Sequence, residues 1–104
     1  MSNDFSELMA SIEAEAGAEG PDGIRRLNEL RTRYRLANQL ITLRREAKLS
    51  QKDLARKTGI LQSEISRIER GVTSPNETTW ARLAAPLGYE LALVPSARKG
   101  PVPA

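Results

Sequence analysis

Apolar residues recur at helical spacing in five stretches of this chain and alternate in a sixth. Phe5, Leu8, Met9 and Ile12 line one face of a short amphipathic helix over about 3–16, which Gly17, Gly20, Pro21 and Gly23 interrupt. A stripe of threes and fours follows through Ile24, Leu27, Leu30, Tyr34, Ala37, Leu40 and Ile41, with no Gly or Pro before Leu49. It predicts one long helix, or two abutting ones, to about Ala47. Ser50 then caps a third helix, with Asp53 placed to reach back to it and Leu49 and Leu54 spaced as a hydrophobic staple. Leu54 and Ala55 form its inner edge, and Gly59 ends it. Ile60, Ile65 and Ile68 face the same core from a fourth helix that Gly71 stops. Asn76, after Pro75 and before Glu77, caps a fifth, in which Trp80, Leu83, Ala84 and Leu87 make the apolar stripe. Pro86 kinks or shortens its last turn ahead of Gly88. Finally Tyr89, Leu91 and Leu93 alternate with Glu90, Ala92 and Val94, the period of a short strand ended by Pro95.

The polar side of the fourth helix is what suggests a chemistry. Opposite the isoleucines lie Gln62, Ser63, Ser66 and Arg67. Gln bonds adenine and Arg bonds guanine in bidentate fashion in the DNA major groove, so Gln62 and Arg67 are the better readers of sequence. Lys52, Arg56 and Lys57, and the hydroxyls of Thr73 and Ser74, are candidates for phosphate contacts, which fix register without reading bases. Glu64 either accepts from a cytosine amino group or points sideways into solvent.

The stretch SQKDLARKTGI followed by QSEISRIERG resembles the Cro/cI-type (XRE) helix-turn-helix proteins in its Ser-Gln, Leu-Ala, turn glycine, Ile-Ser and Ile-Glu-x-Gly positions. The resemblance runs from about Leu43 to Leu87. It implies a groove-reading helix at Gln62–Arg67, a phosphate contact at Gln51, and a structural pair between Arg44 and Glu69. Two positions depart: Glu64 is acidic near the DNA face, and Leu61 stands where these proteins usually carry a capping Ser or Thr, so the helix starts uncapped or starts later, at Ser63.

Charge divides the chain. Residues 1–23 hold six acids and no base, and the remainder holds all 16 basic residues against seven acids, a net +9. Three readings of the acidic segment stand open: a mobile, partly helical tail; a face of Phe5, Leu8, Met9 and Ile12 that docks on a protein partner; or carboxylates that compete with phosphate for the basic face. Arg25, Arg26, Arg31, Arg33 and Arg35 on the long helix are a solvated surface or further contacts to phosphate or an acidic partner. With no Cys and no His, thiolate and imidazole metal sites, disulfides and Cys or His catalysis are excluded. No cofactor, no enzymatic activity and no membrane span are expected, and the cytoplasm is the expected compartment.

A lone strand needs a partner. No second strand is evident, so Tyr89, Leu91, Leu93 and Val94 are predicted to pair with the same residues of another copy, giving a twofold dimer for a palindromic operator. The predicted fold is thus all-α: a compact helix-turn-helix bundle over 24–88 with its motif at 50–71, an N-terminal helical extension over 1–23, a dimerisation strand at 89–95 and a disordered tail at 96–104. This architecture resembles the HigA- and HipB-type antitoxins of bacterial toxin–antitoxin pairs. The resemblance implies a homodimer that neutralises a toxin, RelE-like (HigB) rather than HipA-like, and represses its own operon. The alternative is a stand-alone XRE-family repressor with no toxin.

Overall fold

The computed structural model describes residues 4–96, with the side chains at 4–6, 15–17 and 19 outside the described set. Five α-helices follow one another: α1 (Asp4–Glu19), α2 (Pro21–Glu46), α3 (Gln51–Thr58), α4 (Gln62–Glu69) and α5 (Glu77–Ala84), the last continued by a 3-10 turn, Ala85–Leu87. The long helix forms as one piece of 26 residues. Of the predicted breakers only Gly20, at φ 85°, separates it from α1, and Pro21 sits in its first turn, where a missing N–H costs nothing.

The short helices are set by local chemistry. The Ser50 hydroxyl accepts from the Asp53 N–H at 3.0 Å, and the Asp53 carboxylate accepts from the Ser50 N–H at 2.9 Å, completing a capping box. Asn76 Oδ1 accepts from the Thr79 N–H at 2.9 Å and caps α5. Gly59 takes the left-handed conformation at φ 77° that ends α3. In the turn that follows, the Thr58 hydroxyl donates to the Leu54 carbonyl and accepts from the Ile60 N–H.

Eight residues are too few for α3, α4 or α5 to hold as isolated helices. Shared burial holds them instead. Leu40 of α2, Leu54 of α3, Ile60 of the turn, Ile65 and Ile68 of α4 and Leu83 of α5 form one core, with Ala55, Trp80 and Leu87 packed at its margin. Leu54, Ile65, Ile68 and Leu83 are fully buried, each contributing roughly 1.5–3 kcal/mol.

A second, smaller cluster joins α1 to α2. Met9 is buried against Leu27, with Ile12 beside them, and Arg31 of α2 forms an ion pair with Glu13 of α1. Of the predicted apolar face of the N-terminal helix, Met9 and Ile12 therefore pack within the chain. Leu8 is left 47% exposed, and the Phe5 side chain lies outside the described residues.

The C-terminal strand expected over 89–95 is not formed. Tyr89 to Ser96 carries no regular secondary structure, and Tyr89, Leu91, Leu93 and Val94 are all exposed. Alternation creates a two-faced ribbon, but the ladder hydrogen bonds that make it a strand must come from a neighbour, and no other described segment pairs with it. Apart from Ser96, the predicted tail lies outside the described residues. No described helix is long and apolar enough to cross a membrane.

Candidate nucleic-acid interface

The site is built outward from a buried ion pair. Arg44, near the end of α2, donates from Nε to Glu69 Oε2 at 2.7 Å and from Nη2 to Glu69 Oε1 at 3.0 Å. Its remaining nitrogen, Nη1, donates to the Leu49 carbonyl at 2.9 Å. The two side chains are only 10% and 4% exposed. The hydrogen bonds that Arg44 donates to Glu69 raise its pKa above an already high ordinary value; burial opposes this, and the carboxylate's charge adds to it. One guanidinium thus ties three segments together: the end of α2, the loop before α3 and the end of α4.

Glu69 passes this order to the surface. Its Oε1 also accepts from Gln51 Nε2 at 2.9 Å, where Gln51 is the first residue of α3. A carboxylate can only accept, so the Gln51 amide must turn its nitrogen inward and its oxygen outward. That oxygen meets Gln62 Nε2 at 3.5 Å, at the first position of α4. The chain Arg44, Glu69, Gln51, Gln62 therefore runs from the interior to the leading end of the predicted groove-reading helix. It limits the rotamers of two long amides that would otherwise be disordered by side-chain entropy before they meet a ligand.

Along α4 the two faces separate as the pattern required. Ile65 and Ile68 are buried, while Gln62, Ser63 and Arg67 are exposed and Ser66 is half-buried. Gly71, at φ 74°, closes the helix with the N–H of Gly71 bonded to the Ile68 carbonyl and that of Val72 to the Arg67 carbonyl. It also allows a close approach: a Cβ there would lie 2.9 Å from Tyr34 Cδ1 of α2. At the leading end, Leu61 is the N-cap and makes no side-chain capping bond; the helix begins at Gln62 and not later.

The other predicted contacts are more scattered. Lys52 is exposed on α3, one position beyond Gln51, and Arg56 is held in an ion pair with Asp53. Thr73 is half-buried in the loop after α4. Ser74 is turned toward a groove of about 380 Å³ that it lines with Arg33, Leu36 and Trp80.

Sequence reading placed Gln51 on phosphate by resemblance and missed its bond to Glu69. The available signal was that two glutamines occupy the first positions of successive helices across a tight turn. Nothing in the sequence pointed to the ion pair of Glu13 with Arg31 or to the packing of Tyr34 against Gly71.

Two short helices crossing at a glycine turn, the second with a buried isoleucine edge and a polar outer edge, define a DNA-binding helix-turn-helix regulator. The comparisons agree. The helix-turn-helix family (HTH_3) matches residues 40–94, and the chain belongs to this family. The chain is 42% identical over 69 residues to an uncharacterized HTH-type transcriptional regulator of Haemophilus influenzae, a match covering 66% of this chain and 70% of that one. It is 34% identical over 96 residues to antitoxin HigA1 of Mycobacterium tuberculosis, covering 90% of this chain but 64% of the antitoxin's length. A regulator of Sinorhizobium fredii, y4dL, is 37% identical over 60 residues. No solved structure matches.

Proposed function

We propose that the chain is an antitoxin that represses its own operon as a homodimer and neutralises a cognate toxin, of the RelE/HigB class. The observation that carries this reading is the reach of the likeness to HigA1. It takes in 96 residues, whereas the helix-turn-helix match is confined to 40–94, so the similarity extends beyond the DNA-binding domain. On this reading DNA is bound through Gln62, Ser63, Ser66 and Arg67 in the major groove, with Gln51, Lys52, Thr73 and Ser74 on the backbone. Toxin is met by α1 through the exposed Leu8 and Glu7, while Met9 and Ile12 of the same predicted face are turned onto Leu27. Two copies join through Tyr89, Leu91, Leu93 and Val94, whose exposure in the single chain leaves a ribbon to be completed.

Co-expression with the product of the adjacent gene tests the antitoxin role. A stoichiometric complex that abolishes the partner's toxicity is the expected result. Failure of a toxic neighbour to co-purify returns the protein to a stand-alone repressor, the reading favoured by its likeness to the Haemophilus regulator over 70% of that chain. Removal of residues 90–104 is expected to give monomers in sedimentation; intact dimers would place the joint elsewhere.

A further inference from the structure

We propose that Leu61 reads the 5-methyl group of a thymine in the major groove, and so sets specificity beside Gln62. This rests on the DNA-binding reading of the same face and names a base feature that the face recognises. Leu61 is 70% exposed, whereas its neighbour Ile60 and the helix residues Ile65 and Ile68 are all buried. It contributes nothing to the interior. Its structural duty is performed by the backbone alone: the Leu61 carbonyl accepts from the N–H groups of Glu64 and Ile65 at 3.0 Å each, a task any residue performs. The side chain makes no capping bond.

Leucine is among the poorest residues for this position, because a Ser, Thr, Asp or Asn oxygen would satisfy an orphan N–H of the first turn. Both other short helices of the domain use such a residue, Ser50 for α3 and Asn76 for α5. The chain therefore gives up helix stability at α4 to hold an apolar group in water. A docked recognition helix presents its N-terminal residues to base edges. There the prominent apolar feature is the methyl group of thymine, which apolar side chains contact. The next residue, Gln62, is steered by Gln51 and suits adenine, so the Leu-Gln pair fits neighbouring A·T positions.

The test uses the full chain and duplexes that it selects from a random pool. Each thymine of the selected site is replaced in turn by deoxyuridine, which lacks only the methyl group. Wild type is expected to lose about four-fold in affinity at one thymine per half-site, the equivalent of one buried methyl group. Leu61→Ser is expected to bind the thymine and uracil duplexes equally and, with α4 now capped, to melt no lower than wild type. An unchanged uracil penalty in Leu61→Ser, or no uracil penalty anywhere in wild type, overturns the proposal while DNA binding stands. Selection of no duplex at all overturns the DNA-binding reading and this inference with it.

Discussion

Replacement of Glu69 by alanine is the perturbation to which the domain should be most sensitive for its size. The substitution removes both acceptors of the Arg44 fork and the partner of Gln51, leaving the guanidinium with the Leu49 carbonyl alone. An exposed pair would contribute at most about 1 kcal/mol, because water and entropy offset its Coulomb energy. This one is 10% and 4% exposed, so the loss belongs to the buried class, about 3–5 kcal/mol, dominated by the uncompensated charge left behind. The slight exposure of Arg44 lets its head move toward water, which puts the expectation at the lower end, about 3 kcal/mol. For a domain of this size that is a fall in Tm of roughly 12–24 °C. Urea unfolding followed by far-ultraviolet circular dichroism measures it, with the slope unchanged and the midpoint shifted. The double variant Arg44→Met, Glu69→Leu should recover much of the loss, since it removes the stranded charge as well. Moderate salt should change the wild-type value little, because a buried pair is weakly screened. A loss below about 1 kcal/mol, or a double variant no more stable than the single one, would refute the reasoning.

Three further outcomes follow from the same geometry. Arg67→Ala should cost about 1–3 kcal/mol of DNA affinity and relax preference at one base position; uniform weakening across all operator variants in a binding assay would make Arg67 a phosphate contact instead. Gly71→Ala should destabilise by about 1–2 kcal/mol from the left-handed backbone alone, and further because the new methyl meets the Tyr34 ring; a loss confined to about 1–2 kcal/mol in thermal melting would show that Tyr34 yields, and no loss at all would refute both arguments. The Asp53 carboxyl is held below its ordinary value of 3.8 by the Ser50 N–H first, then by the Ser50 hydroxyl and Arg56. A lowered folded value means the contribution is complete above the unfolded value and is lost as pH falls through the folded one. Wild type should therefore exceed Asp53→Asn in stability near neutrality and converge with it in acid below that range; a constant gap in acid melts would locate the effect elsewhere.

Much of the fold was legible because much of it is local. The Ser50–Asp53 box, the Asn76 cap and the turn at Gly59 are each settled within a few residues, and the spacing of Ile65 and Ile68 fixes which side of α4 is buried. The outer edge of α4 was legible for the same reason: once that side is inside, Gln62, Ser63 and Arg67 must be outside. The organisation of the site's first two glutamines was not.

What the sequence by itself determined is the kind and limits of the helices, the buried edge of the groove-reading helix and the absence of thiol and imidazole chemistry. Only the tertiary structure decided that Met9 and Ile12 of α1 close on Leu27, that Glu69 serves Gln51 as well as Arg44, and that Gly71 lies against Tyr34. It also decided that the alternating residues after Gly88 form no strand in a single chain. The physical reason is separation along the backbone. Caps and stripes are judged by neighbours within about one or two helical turns, whereas Gln51 meets Glu69 across 18 residues, and a ladder bond is satisfied only where another segment arrives. Periodicity states what a residue is able to bury or bond; the path of the chain selects its partner.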